Sequence, residues 1–70
     1  MMKHDLQLSS EIFSRQAVEA AIRAYSGLAL IQVESQPGGW LLSFTDCRYD
    51  PQLTIREFNN YLINLSSISL

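Results

Sequence analysis

The sequence predicts an α+β domain of order β-α-β-β-α, folded as a two-layer sandwich, and three observations predict it. The stretches HDLQLSS and LALIQVESQPGGWLLSF alternate apolar and polar residues at the period of a half-buried strand. FSRQAVEAAIRAYSG and RYDPQLTIREFNNYLINL instead space their apolar residues three and four apart, the period of a helix. Gln36-Pro37-Gly38-Gly39 then divides the second alternating stretch into a hairpin, because proline fixes one φ and glycine accepts a positive one. Two helices bury their apolar stripes most simply on one face of an antiparallel sheet.

The first strand is short, with Leu6 and Leu8 on one side and Asp5 and Gln7 on the other. Ser14 is a good N-cap for the first helix, and Phe13 before it is placed to staple onto Val18. Val18, Ile22 and Tyr25 share one line of that helix, with Gln16, Glu19 and Arg23 opposite. Ala17, Ala21 and Ala24 flank the line; such small side chains let a second helix come close, from this chain or from another copy. Gly27 is expected to stop the helix in the left-handed conformation. In the hairpin, Ala29, Ile31 and Val33 alternate with Gln32 and Glu34, while Leu42 and Phe44 share the buried face and Ser43 and Thr45 point outward. Trp40 is in phase with Leu42 at the mouth of the hairpin. The last helix has two start signals, Asp50-Pro51 and the T-x-x-E capping box of Thr54 and Glu57, with a single turn between them feeding the main helix. Ile55, Phe58, Leu62 and Leu65 form its core stripe. Three fates suit the apolar tail SSISL: a frayed end, a last strand, or a segment docked on a neighbour. The right-handed crossover rule sets the first strand beside the third and the second at an edge. The expected arrangement is therefore a split βαβ, ferredoxin-like, with its last strand reduced or absent.

Seventy residues make one domain, residues 1–70, with one core. A chain of this size buries only about 60% of its unfolded surface and usually adds disulfides, a metal or a partner. The single cysteine, Cys47, forms no internal disulfide, and with the single histidine, His4, it falls short of a Cys/His metal site. No cofactor is expected. The apolar fraction of 47% suits dense packing or association. With a net charge of −2 and a pI near 5.0, the scattered Lys3, Arg15, Arg23, Arg48 and Arg56 make no basic face for nucleic acid. No apolar run approaches the ~18 residues of a membrane span, and MMKHDLQLSS lacks the apolar region of a signal peptide. A lone reduced cysteine then fits the cytoplasm, and the sequon Asn64-Leu65-Ser66 is coincidental there.

Catalytic chemistry finds little purchase. A serine nucleophile needs a base within reach, and His4, placed ahead of the first strand, accompanies no G-x-S-x-G elbow. Asp46 and Asp50 could approach each other in the loop before the last helix, but Asp50 is better read as a helix cap. Arg48 beside Cys47 could lower its pKa, although a lone cysteine at a strand end is more simply packed. Phe44, Phe58, Tyr25 and Trp40 read as core aromatics, with no basic groove to make them a base-stacking platform.

EFNNYLI is the stretch that points outward. Asn59 and Asn60 are poor helix-interior residues, since their short amides compete for backbone hydrogen bonds. Asn60 faces water, and Tyr61 and Ile63 fall on opposite flanks of the core stripe, a wider apolar face than one sheet needs. Trp40, at a turn, either ends the core or joins a binding surface. The expected partner-binding residues are Trp40, Asn59, Asn60, Tyr61 and Ile63. The expected function is a non-catalytic module that binds a protein or peptide, a second copy of the chain included, and neither nucleic acid nor membrane. The alternative is a small-molecule sensor acting as a homodimer, since ferredoxin-like domains often bind ligands at a dimer interface.

Residues from about Ile12 to Leu65 also resemble a known family. The features are IFSRQAVEAAIRAYSGLALIQVE, a short glycine turn, WLLSFTDC, and the closing EFNNYLINL. They are similar to the HxsD family of the His-Xaa-Ser peptide systems, in which an aromatic-serine start leads an alanine-rich helix ending in an aromatic, then a hairpin, then a helix with a phenylalanine-x-asparagine pattern. Phe13-Ser14, the alanines through Tyr25, and Phe58 with Asn60 occupy those positions here. The family's closing helix tends to end in charged residues, where this chain has SSISL. The resemblance implies an accessory protein encoded beside radical SAM enzymes that modify a repeat-containing peptide. It brings no catalytic residues, and it makes Asn60 and its neighbours candidates for a partner contact.

Overall fold

A computed structural model describes the backbone of residues 3–68 and the side chains of residues 3–66. The elements run β1 (His4–Ser9), α1 (Arg15–Ala24), β2 (Leu30–Gln36), β3 (Gly39–Thr45) and α2 (Pro51–Ile68). Three antiparallel strands lie in the order β1-β3-β2, so the first strand does sit beside the third and the second is at an edge. In register, Leu6 faces Leu42 and Leu8 faces Trp40 on one side of β3, while Ile31 faces Phe44 and Val33 faces Leu42 on the other. The alternation thus sends one set of side chains to the helices and the other to water. Asp5 and Ser43, paired on the watery face, share a hydrogen bond of 3.2 Å from the serine hydroxyl to the carboxylate.

The core lies between that sheet face and the two helices. Leu8, Leu42 and Phe44 meet Ala17, Val18 and Ala21 of α1 and Phe58 and Leu62 of α2, all buried. Of the small residues flanking the line on α1, Ala17 and Ala21 are buried in this core, while Ala24 is exposed. Phe58 is the keystone of the aromatic part, edge-on to Phe44 at 5.2 Å and to Tyr25 at 5.5 Å.

The local signals divide into those that act and those that do not. The Ser14 hydroxyl accepts from the Ala17 amide at 3.1 Å, a working N-cap. Gly38 adopts φ +83°, giving Pro37-Gly38 the residue order of a type II turn. Gly39 is needed for a different reason: a Cβ there would run into the Leu8 carbonyl on β1. Gly27, by contrast, does not take positive φ. The chain leaves α1 through a tight turn in which the Leu28 and Ala29 amides both donate to the Tyr25 carbonyl, so no left-handed stop is required. Nor does Thr54 cap anything. Helix α2 begins once, at Pro51, and buried Thr54 donates its hydroxyl to the Asp50 carbonyl at 3.0 Å. Val33 shares a sheet face with Leu42 but is 51% exposed, because β2 is an edge strand that the helices only partly cover. Ile55 and Leu65 are half-buried beside the core instead of within it. His4 lies inside β1, opposite Phe44, and does not precede the strand. The first part of the tail, Ser66–Ile68, continues α2, so no strand forms there; Ser69 and Leu70 lie outside the described residues.

Candidate functional site

Helix α2 carries more apolar surface than the core absorbs. Its buried line is Thr54, Phe58 and Leu62. To one side, Leu53, Glu57 and Tyr61 recur every fourth residue and so share a flank, and Tyr49, four residues earlier, extends the row into the preceding loop. Tyr49 is 63% exposed, Leu53 40% and Tyr61 37%. Tyr61 meets Tyr25 at 5.7 Å, so this row runs along the end of α1. Between the two helix ends lies a groove of about 300 Å³, lined by Tyr25, Leu28, Tyr49, Leu53, Thr54 and Glu57. The wall is apolar and aromatic apart from the Thr54 hydroxyl, already turned to Asp50, and the Glu57 carboxylate.

Glu57 is electrostatically active there. Burial pushes the Tyr25 phenol above its ordinary value of 10.0, and the negative charges of Glu57 and ionised Tyr61 push it further the same way. The helix offers Glu57 no cation at three or four residues' distance, where Thr54, Leu53, Asn60 and Tyr61 stand. Glu19, in contrast, pairs with Arg15 one turn back at 3.1 Å.

The five residues singled out from the sequence fall in three places. Tyr61 belongs to the groove flank, and Asn60 is exposed on the helix's outer side. Ile63, 44% exposed, and half-buried Asn59 lie on the opposite flank. Trp40 is separate: half-buried on β3, it borders a shallow pit with Val18 and Ile22 of α1 and Val33 of β2 beneath the Arg15–Glu19 pair. Sequence reading missed Tyr49, Leu53 and Glu57. The spacing Tyr49, Leu53, Glu57, Tyr61 was the available signal.

In the loop before α2, Asp46 holds φ +52°, a left-handed conformation that aspartate tolerates better than most residues. Among the described residues no three His, Cys, Asp or Glu side chains come together as metal ligands, and no helix is long and apolar enough to cross a membrane. Comparison of the chain with protein-family models, curated proteins and solved structures returns no match.

Proposed function

We propose that the protein is a small non-catalytic interaction module that binds a partner protein or peptide through the outward side of α2. The observation that carries this reading is the exposed apolar row of Tyr49, Leu53 and Tyr61 beside a groove, with Ile63 on the other flank. Exposed tyrosine and leucine side chains gathered in one row on so small a chain are most simply explained by something that covers them. The resemblance to the HxsD family supplies a setting, as accessory to radical SAM enzymes acting on a repeat-containing peptide in the cytoplasm. The fold is read as split βαβ, ferredoxin-like, with the last strand absent; the strand order β1-β3-β2 and the continuation of α2 through Ile68 support this. A second reading, a homodimeric small-molecule sensor, draws on the outer strands β1 and β2, each paired with β3 alone and so open to pairing with another copy.

Sedimentation velocity separates these readings. The chain is run alone and after co-expression with the products of its neighbouring genes. A module forms a complex with one of those products, and the double substitution Tyr61→Asp, Ile63→Lys abolishes it while leaving the far-ultraviolet circular dichroism unchanged. Complex formation undiminished by that double substitution rules out α2 as the surface. A sensor is dimeric alone and is stabilised by one metabolite among many.

A further inference from the structure

We propose that the groove between the ends of α1 and α2 receives an arginine side chain of the partner polypeptide, with its guanidinium at the Glu57 carboxylate and against the flanking tyrosine rings. The inference rests on the reading of α2 as a partner-facing surface and names what that partner must carry. Three features of the groove lead to it.

The first is charge. Glu57 has no cation three or four residues away on α2, its chain neighbour Arg56 is turned about 100° round the helix from it, and it makes no ion pair among the described residues. A carboxylate beside apolar walls is attracted more strongly to an incoming cation than one in open water, because the local dielectric falls when the groove is covered. A second copy docked symmetrically on the same groove would bring Glu57 toward its own image, so the charge favours a different chain. The second feature is aromatic surface. Tyr25 and Tyr49 line the groove and Tyr61 packs on Tyr25. A cation held against such rings gains a further attraction. The planar, weakly hydrated guanidinium can stack on a ring while its N–H groups reach a carboxylate, which a compact ammonium does less well. The third is size. At about 300 Å³ the groove is at the small end of ligand sites, with room for one long side chain. Leu53, Leu28 and the Tyr49 ring are left to meet apolar neighbours of that arginine in the partner.

The test is a chemical-shift titration of the full chain with three capped tripeptides, acetyl-Leu-Arg-Leu-amide and its Lys and Gln counterparts, alongside acetyl-arginine-amide. The arginine tripeptide is expected to shift the resonances of Tyr25, Tyr49, Leu53 and Glu57. It should bind about tenfold more tightly than the glutamine peptide, and more tightly than the lysine one. Glu57→Gln, an exposed substitution whose fold is checked by circular dichroism, should remove that preference, as should raised salt in part. No shift with the arginine peptide at about 10 mM, shifts centred away from the groove, or equal binding of the arginine and glutamine peptides overturns the proposal. Acetyl-arginine-amide binding as tightly as the tripeptide overturns the choice of a polypeptide over a free ligand. A partner complex lost in the Tyr61→Asp, Ile63→Lys variant but untouched by Glu57→Gln leaves the interaction module standing and removes the arginine.

Discussion

Phe58 offers the sharpest test of how the two layers are held together. It is fully buried, and it joins α2 to β3 through Phe44 at 5.2 Å and to the end of α1 through Tyr25 at 5.5 Å. Truncating a buried phenylalanine to alanine costs about 3–5 kcal/mol. Two lost edge-on ring pairs, at about 0.5–1.5 kcal/mol each, push Phe58→Ala toward the top of that range. At about 0.05–0.15 kcal/mol per residue, a domain of 70 residues has about 3.5–10 kcal/mol of stability in all. Phe58→Ala should therefore remove half of it or more. Phe58→Leu keeps most of the apolar burial and loses chiefly the ring contacts, so about 2 kcal/mol is expected, or about 8–16 °C in Tm. Urea unfolding followed by the fluorescence of Trp40 measures both, and exposed Asn60→Ala, expected within about 0.5 kcal/mol of wild type, is the control. A loss below about 1 kcal/mol for Phe58→Ala would refute the aromatic junction as the centre of the core.

Three further outcomes follow from local geometry. Gly39→Ala places a Cβ against the Leu8 carbonyl, so the end of the β1–β3 ladder must open; a loss of about 1–3 kcal/mol is expected, with faster exchange of the Ser10 amide that donates to Gly38. Ser14→Ala removes the acceptor for the Ala17 amide and should lower stability by about 1 kcal/mol, read as a drop of about 4–8 °C in Tm. Tyr25 holds its proton more tightly folded than unfolded, so its contribution is complete below its ordinary value of 10.0 and is lost as pH rises through the higher folded one. As pH rises above about 10.0 the urea midpoint should fall more steeply in wild type than in Tyr25→Phe, and identical pH profiles would contradict the shift.

Much of the fold was legible because period and burial agree. In β3 the alternation that separates Leu42 and Phe44 from Ser43 and Thr45 survives into the structure, since a central strand must send one face to the core. The expected strand order, with the first strand beside the third and the second at an edge, likewise appears in the structure. Where the reading failed, two local signals competed or tertiary cover was incomplete. Thr54 and Glu57 have the spacing of a capping box, yet proline at 51 starts the helix earlier and turns Thr54 into an interior residue bonded to Asp50. Val33 has the right phase for burial but sits on an edge that α1 roofs only in part. The groove was invisible for a related reason. Leu53 reads as a residue between two helix starts and Glu57 as a cap, and only the uninterrupted helix aligns them with Tyr61, while Tyr49 stays in the loop and joins the groove through the fold. Tyr61 and Ile63 were recognised as surplus, but nothing in the linear pattern says that one flank meets α1 and the other does not.

The claim beneath the functional reading is physical: in the unpartnered chain, the aromatic row on the α2 side faces water. Photochemically induced nuclear polarisation of the three tyrosines in dilute solution tests this most directly, because only rings that a dissolved dye can touch respond. The expected spectrum has a strong Tyr49 signal, a clear one from Tyr61, and little from half-buried Tyr25. Silence from both Tyr49 and Tyr61 in the monomer would mean the chain covers that row by itself, leaving no surface to recruit a partner.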